Sequence, residues 1–551
     1  MAIQKFIIDL SGKGGLSNDY YGNKYLASSV QVTFGSEQTR YLAEDGQFVA
    51  GVFNPFIRPG YMSPGITSVT AVTTSGSYDA FMACSQYDDI NDVVYMFESG
   101  TTIHKGDTPV DTTWTEDKTI ANAIYTDSCI YEVNGVRNMY FVYQNSTTDT
   151  MIGVKSLVTG TYTNVLLGTG GTMTNNFTPV LSVGKLVPAG DGYLYFLNRN
   201  FIHRIDGTTI GGSTGTISQN VLVAPTHYVF SHGIDFKSNL FLVIQKNTKY
   251  QTLTTSAQSS NSNTDCGVYI WNRQASFFNS SDYVALTGVR EVRSIFISPR
   301  NTVRMFTISS NGTPQLREYN GSYFQVIREF DSGAFPIVED CVVVNGNLTT
   351  WMGANGRMYT YGSDVPGGKE VLAILLQLSS ATGGVIAYCD NATHGSVGNA
   401  NEGSSNQSPE GFFIFYNDGT RRIAKAYPHS PYAVDSTTPT KSIGDIFTPV
   451  KFLPTLSTVK HINFIFMPVA VSGSTVAATL KFYFNQSGTS SFSKSITYDD
   501  LAKGYLSVEI NKPYVNAIQI EIEESTAVSF GTADFCPAYA ETYFEPTSTL
   551  K

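Results

Sequence analysis

Short apolar runs rich in aromatic residues recur along residues 93–417, and each is followed by a polar or glycine-containing turn and a second, alternating run. The runs are too short for helices and are bounded by turn residues, so each predicts a β-strand. The chain therefore predicts seven successive hairpins. The first runs are 93–97, 139–143, 193–197, 240–244, 303–307, 348–352 and 412–416, and their companions are 102–104, 151–154, 201–205, 268–271, 316–319, 358–361 and 422–426.

The hairpins start 45 to 63 residues apart, close to the length that four strands per propeller blade require. The longer steps contain Ser/Asn/Gly-rich insertions at 254–265 and 391–409, which predict surface loops on a regular scaffold. Nine Asn-Gly or Asp-Gly pairs supply the dipeptides that two-residue hairpin turns favour. We predict an all-β fold with a β-propeller of about seven blades over residues 66–440.

Residues 1–65 lack this pattern. Pro55, Pro59 and Pro64 remove backbone donors and restrict the preceding residues, which disfavours a regular ladder. We predict an extended N-terminal arm, laid either against the outside of its own propeller or against a neighbouring subunit.

Beyond residue 440 the pattern changes again. Alternating runs joined by short turns predict an antiparallel β-sandwich over residues 441–551, with one helical turn at 498–502. The predicted strands are 462–466, 478–484, 492–496, 506–510 and 517–522.

Composition agrees with an all-β fold and limits the classes of partner that we expect the chain to bind. Aromatic residues make up 13% of the chain and charged residues only 15%, against the usual value of about 25%. The net charge is −10, and no basic cluster exceeds two residues, so direct sequence-specific binding of nucleic acid is disfavoured. Neither a secretory signal nor an apolar run of membrane-spanning length is present, which predicts synthesis in the cytoplasm, no export by that route and no membrane span. The six scattered cysteines are expected to be reduced.

Candidate catalytic and metal-binding residues are few, and each has a structural interpretation. His227 and His232 lie at odd spacing, which directs them to opposite faces of a strand. The acidic run 88–92 could bind calcium or form a polar hairpin loop, but it lacks the spacing of a calcium-binding loop. Ser213 lies in a Gly-x-Ser-x-Gly pattern without the helix that a nucleophile elbow requires. We therefore predict no enzyme activity and no catalytic, cofactor-binding or metal-binding residue.

The arm, the blades and the sandwich together resemble the β-propeller structural proteins of tailed bacteriophage virions. The resemblance depends on the Gly-Lys-Gly-Gly-Leu opening at 12–16, the Pro-rich stretch 54–61, the low charge and the missing signal. It implies a component of the tail, nozzle or neck that contacts other virion proteins and copies of itself in a ring. It supplies no residue-level site.

Five apolar residues of the arm are the predicted inter-subunit contacts, because so apolar a cluster is rarely left in water. They are Phe53, Phe56, Ile57, Tyr61 and Met62. The alternative is that these side chains seal the rim of their own propeller.

A different functional class also remains open. The chain could be a carbohydrate-binding adhesin or a glycan-hydrolysing tail protein that holds a host-surface glycan on its propeller loops or its sandwich. Three tryptophans in 551 residues and the lack of a paired acid count against this alternative.

Overall fold

The structure is a computed structural model of the 551-residue chain. It describes residues 3–11, 15–16, 47–48, 53–56, 63–66, 73–74, 82–91, 93–98, 100–107, 113–133, 135–145, 149–165, 184–198, 200–205, 217–225, 228–246, 266–330, 332–336, 342–363, 365–378, 386–389, 411–426, 441–442, 446–448, 450–470, 472–485, 487–524 and 536–547.

The protein is all-β, with almost no helix, as the alternating runs predict. Six short strands come first along the chain, and they join sheets formed mainly by later residues. They are β1 (Gln4–Asp9), β2 (Gly15–Leu16), β3 (Gln47–Phe48), β4 (Phe53–Asn54), β5 (Ser63–Ile66) and β6 (Thr73–Thr74).

Six successive sheets form a six-blade β-propeller arrangement. Each contains four antiparallel strands in chain order, and the first strand of each sheet contacts the first strand of the next. The first three blades are β7 (Met82–Asp88), β8 (Val93–Glu98), β9 (Thr102–Asp107) and β10 (Thr113–Thr119); β11 (Ala123–Val133), β12 (Val136–Asn145), β13 (Asp149–Ser156) and β14 (Tyr162–Val165); and β15 (Gly184–Pro188), β16 (Leu194–Asn198), β17 (Phe201–Ile205) and β18 (Ile217–Val223).

The next three blades repeat the same order of strands, with 3₁₀ turns at Ser280–Asp282 and Ser332–Ala334. They are β19 (Tyr228–Phe236), β20 (Asn239–Lys246), β21 (Cys266–Trp271) and β22 (Tyr283–Ala285); β23 (Val289–Ile297), β24 (Val303–Ser309), β25 (Pro314–Tyr319) and β26 (Phe324–Glu329); and β27 (Val342–Asn345), β28 (Leu348–Met352), β29 (Arg357–Gly362) and β30 (Val371–Gln377).

A three-stranded antiparallel sheet follows, made of β31 (Ile386–Cys389), β32 (Gly411–Asn417) and β33 (Arg421–Ala426). All seven predicted hairpins are confirmed, because the first runs are the second strands of these seven sheets and their companions are the third strands. Gly346 of the Asn345–Gly346 turn has φ +53°, the left-handed conformation for which such dipeptides are favoured.

The last part of the chain and β1 form a seven-stranded antiparallel sheet, which we call the C-terminal sheet. The elements after residue 440 are β34 (Lys441–Ser442), β35 (Ile446–Phe447), β36 (Lys451–Phe466), β37 (Val476–Phe484), β38 (Phe492–Thr497), α1 (Tyr498–Lys503), β39 (Tyr505–Glu524) and β40 (Pro537–Pro546). The strand order of the C-terminal sheet is β1-β40-β36-β39-β37-β38, with β35 also paired to β39.

One predicted boundary in this sheet is wrong. The runs 506–510 and 517–522 are parts of the single strand β39, which continues through the intervening NKPYV segment. Asn511 and Tyr514 have positive φ, so the segment bends the strand without ending it. The predicted helical turn is confirmed as α1, which begins with a capping box between Thr497 and Asp500.

Short strands that precede or follow the propeller in sequence pair within its sheets. β6 pairs with β10, while β5 pairs with β30 and with β34. One hydrophobic core cluster includes side chains of the fifth and sixth blades and of the C-terminal sheet, among them Trp351 and Phe464. The C-terminal sheet is therefore packed on the propeller through a shared core.

Candidate functional site

The outer face of the C-terminal sheet is the candidate functional site, and alternation along its strands creates it. On β1, Phe6 and Ile8 face the core while Lys5 and Ile7 are exposed. Three rows of side chains cross β1, β40, β36 and β39 on the exposed side. The rows are Lys5, Tyr543, His461 and Glu509; Ile7, Glu541, Asn463 and Ser507; and Asp9, Tyr539, Ile465 and Tyr505.

Glu541 is the centre of a polar cluster on this face. Its carboxylate accepts hydrogen bonds from Lys5 Nζ (2.9 Å) and from the Tyr543 hydroxyl (2.8 Å). The Tyr543 ring stacks on His461, with 4.4 Å between the ring centroids, and Lys5 Nζ lies 5.9 Å from the centroid of the same ring. The cluster therefore joins three neighbouring strands through side chains alone.

The pKa values follow from these contacts. The hydrogen bond from Lys5, and then that from Tyr543, lowers the pKa of Glu541, while its carboxylate raises the pKa of Lys5 and of Tyr543. Lys5 and Glu541 thus stay oppositely charged and Tyr543 stays protonated at neutral pH. At neutral pH this face therefore presents an ion pair beside stacked aromatic rings.

The structure describes part of the predicted N-terminal contact cluster. Phe53 lies in β4, opposite Pro64 of β5. Phe56 is half-buried and packs against the main core. Its backbone N–H donates a hydrogen bond to Oδ1 of the buried Asn54 at 2.9 Å. Ile57, Tyr61 and Met62 lie outside the described residues. Contact of this cluster with another subunit remains a prediction.

The residues that were weighed as catalytic or metal-binding candidates make structural contacts where the structure describes them. Asp88 is buried and accepts hydrogen bonds from Arg137 Nη1 (2.7 Å) and Asn91 Nδ2 (2.6 Å), so the acidic run supports an ion pair between the first and second blades. His232 is buried in β19, with Nδ1 3.0 Å from the hydroxyl of Ser231. Among the described residues, no three His, Cys, Asp or Glu side chains meet in a possible metal site. Ser213 and His227 lie outside that part of the chain.

In the propeller, the first strands of neighbouring blades are joined by side chains that bind backbone groups. The amide of Gln86 on β7 donates to the carbonyl of Ser128 (2.8 Å) and accepts from the N–H of Ile130 (3.2 Å) on β11. Asp127 of β11 accepts the N–H of Leu186 on β15 at 2.7 Å. Side chains thus satisfy strand groups that no adjacent strand binds.

A buried ion cluster joins the fifth and sixth blades. Arg304, 1% exposed, donates to both carboxylate oxygens of Glu370 (2.8 and 2.7 Å) and to Glu318 (2.6 Å). Burial lowers the pKa of Arg304, but Glu370 and Glu318 together raise it above the usual value. The cation is therefore fully paired, and the cluster is a structural link.

Sequence reasoning missed Lys5, Glu541, Tyr543 and His461 as neighbours. Lys5 and Glu541 are separated by 536 positions, so local patterns do not show their contact. The available signal was the short apolar run Phe6–Ile8 between polar residues, which is compatible with a strand but does not show which face is buried.

Within the described residues, no helix is long and apolar enough to cross a membrane. No protein-family model matches the chain, and a search of curated proteins finds no match.

Proposed function

We propose that this chain is a non-enzymatic structural subunit of a tailed-bacteriophage virion, placed in the tail, nozzle or neck region. In this role the propeller is a rigid spacer, and the N-terminal segment and the C-terminal sheet contact other virion proteins and further copies of the chain. The observation that carries the proposal is the incorporation of β1 into the edge of the C-terminal sheet, beside an exposed face of charges and aromatic rings. The assignment to a virion follows the resemblance of the sequence.

We infer that the three-stranded sheet β31–β33 is the seventh blade. Its first strand contacts the first strand of the sixth blade, β27, and the first strand of the first blade, β7. A sheet that touches both neighbours closes the ring without a gap. Closure removes the two free faces that an open array would expose to water.

We also infer that the C-terminal sheet bends over on itself as a sandwich. Its two longest strands, β36 and β39, pair in two stretches separated by register shifts, which bend strands. Phe464 of β36 and Phe482 of β37 belong to strands that do not pair, yet their rings are 5.9 Å apart. This contact is expected when the two halves of a sheet pack face to face.

Two measurements test the structural role. The first is the mass of the purified chain in solution, and the second is its recovery in purified phage particles, detected by proteomics and imaging. The proposal predicts a multimer and a stoichiometric particle component. A stable monomer that no particle contains would overturn it.

A second candidate function, glycan binding, is favoured by the tyrosines of the outer face. Tyr505 is 54% exposed, and Tyr539 and Tyr543 lie on the same side of the sheet beside Asn463 and Glu541. Flat aromatic rings provide apolar surface, and amide and carboxylate groups bind hydroxyls. The insertions at 254–265 and 391–409, the other predicted glycan site, lie outside the described residues.

A glycan array tests this alternative. Binding by the wild-type chain that Tyr505→Ala removes would support it. The matched control is Tyr514→Ala, which deletes a similarly exposed tyrosine at the bend of the same strand. Absence of binding across the array, or equal loss in both variants, would count against this face.

A further inference from the structure

The free edge of β1 is the strongest unassigned feature of the molecule. β1 ends the C-terminal sheet, and no strand in the described part of the chain pairs with its outer side. Its six residues pair with β40 without a register shift, so the strand has no bulge. Ile3 and Ile7 on or beside it are 59% and 51% exposed. An edge strand without a bulge and with exposed apolar side chains is a template for another strand.

The register with β40 decides which backbone groups face outward. The N–H of Leu10 donates to the carbonyl of Ala538 at 2.9 Å, continuing the pairing in which Asp9 lies opposite Tyr539. In an antiparallel pair, alternate residues direct both backbone groups to the same neighbour. Even-numbered residues of β1 therefore bind β40. The N–H and C=O groups of the odd-numbered residues, Lys5 and Ile7 among them, point to the free edge.

The side chains of the odd-numbered residues are self-complementary. When two copies of β1 pair antiparallel with Ile7 opposite Ile7, Lys5 of each copy lies opposite Asp9 of the other. This register places two opposite-charge pairs around one apolar pair. A shift by two residues in one direction sets Lys5 opposite Ile7, and a shift in the other sets Asp9 opposite Ile7. Larger shifts bring Lys5 opposite Lys5 or Asp9 opposite Asp9.

The local contacts already hold these residues in place. Lys5 is bound by Glu541 on its own sheet, at 2.9 Å, so its ammonium lies on the outer face. Asp9 Oδ1 accepts the N–H of Ser11 at 2.8 Å, which fixes the end of the strand. On the inner face the same register sets Phe6 of one copy opposite Ile8 of the other, and both side chains already pack in the core.

The opposite end of the sheet differs. β38 has an exposed centre of Ser493, Lys494 and Ser495, so its centre is polar where that of β1 is apolar. At the two ends of the strand order from β1 to β38, only β1 combines an apolar centre with opposite charges on either side.

We propose that β1 pairs with β1 of a second copy of this chain across a two-fold axis at Ile7, which joins two C-terminal sheets into one continuous sheet. The proposal deepens the assembly role and rests on it for its biological meaning. A two-fold contact closes after two copies, so it is separate from any head-to-tail contact that builds a ring.

Cysteine cross-linking of the full chain tests the register. Residues opposite each other in a hydrogen-bonded antiparallel pair have Cα atoms about 5.5 Å apart, which is within the range that a disulfide spans. Ile7→Cys should therefore oxidise to a covalent dimer. Lys5→Cys and Asp9→Cys should each form no covalent dimer alone but should form a mixed disulfide-linked dimer when combined. The controls are the wild-type chain, for its own cysteines, and Ile3→Cys, which is similarly exposed but is not opposite itself in this register.

Sedimentation velocity tests the same contact without a covalent cross-link. Ile7→Lys places two ammonium groups at the axis and should weaken self-association by at least roughly tenfold. Val158→Lys, a matched change at an exposed valine of the propeller, should leave it unchanged. If Ile7→Cys cross-links no faster than Ile3→Cys, or Ile7→Lys associates like the wild type, the two-fold contact is wrong. Recovery of the chain in phage particles with no Ile7 cross-link would overturn this inference alone, and a cross-linked dimer absent from particles would overturn the virion role alone.

Discussion

The propeller and the C-terminal sheet differ in what binds the backbone groups at the edges of their strands. In the propeller, side chains such as Gln86 and Asp127 bind backbone groups of the next first strand, and ion pairs such as that of Arg304 and Glu370 fasten neighbouring blades. In the C-terminal sheet, β1 has no partner strand on its outer side within the described residues, and its exposed side chains are apolar at the centre. The polar side chains described in the propeller join its own blades, whereas Lys5, Glu541 and Tyr543 lie on the outer face of the C-terminal sheet.

The largest expected effect lies in the propeller. Arg304→Ala leaves the carboxylates of Glu370 and Glu318 without their buried cation, and loss of one partner of a buried pair costs about 3–5 kcal/mol of unfolding free energy. Denaturant unfolding measures the change. Arg422→Ala, which breaks an exposed pair with Asp418, is the matched control and should cost at most about 1 kcal/mol. Equal losses in the two variants would contradict the view that the Arg304 cluster fastens the blades.

A pH-dependent effect is expected at His203, which is 2% exposed in β17. Burial lowers its pKa from 6.5 to about 4 in the folded chain. The unfolded chain then binds more protons, so this contribution to stability is complete above pH 6.5 and is lost as the pH falls through about 4. The loss approaches about 3 kcal/mol, since one pKa unit corresponds to about 1.4 kcal/mol.

Unfolding measured at intervals from pH 7 to pH 4 tests this effect. His203→Phe should flatten the slope in this range, although it also removes the hydrogen bond from the Asn220 N–H. A slope that His203→Phe leaves intact would assign the pH dependence to other groups.

A smaller loss of unfolding free energy is expected when the Gln86 amide, which joins the first and second blades, is removed. Gln86→Leu leaves the Ser128 carbonyl and the Ile130 N–H without their side-chain partner, at a cost of about 1–3 kcal/mol. Gln86→Glu retains an acceptor for Ile130 but places a carboxylate oxygen, which cannot donate, against the Ser128 carbonyl, so it should not recover wild-type stability. Thermal unfolding of the two variants, compared with wild type, measures the difference. Stability unchanged in Gln86→Leu would mean that water replaces the amide.

The smallest effect on stability is expected on the outer face. Lys5→Ala removes a solvent-exposed pair with Glu541, and water and salt already screen such a pair. The midpoint of thermal unfolding should not move measurably. A clear fall in the midpoint would show that the Lys5 contact supports the fold, and the contrast with Arg304 would then fail.

Much of the propeller could be predicted from sequence because its contacts are local. Each hairpin joins runs that are close along the chain, and alternation marks which side of each strand is buried, as in 193–197 and 201–205. The three-stranded sheet and the two halves of the C-terminal sheet fit the predicted seven blades and sandwich, which remain proposals. The bend in β39 was not predictable from composition, since the NKPYV segment has the residues of an ordinary turn.

The candidate site could not be predicted, because tertiary pairing creates it. The outer face combines residues from four strands, and the row of Lys5, Tyr543 and His461 exists only because β1 and β36 both pair with β40. Pro55, Pro59 and Pro64 predicted an extended arm over residues 1–65, whereas β1, at the start of this region, is a regular strand paired with β40. Apolar content indicated Phe56 as a contact, but its half-buried position shows that apolar residues also serve the chain's own core.

The pairing of β1 with β40 also has a consequence for synthesis. Lys5 leaves the ribosome 536 residues before Glu541, its partner across these two strands. At about 5–20 residues per second, roughly 30 to 110 seconds pass between the two. During that interval β1 has no neighbouring strand, while the propeller blades can form one after another from local hairpins. Translation therefore delays the pairing of β1 with β40 until the propeller and most of the C-terminal sheet have been made.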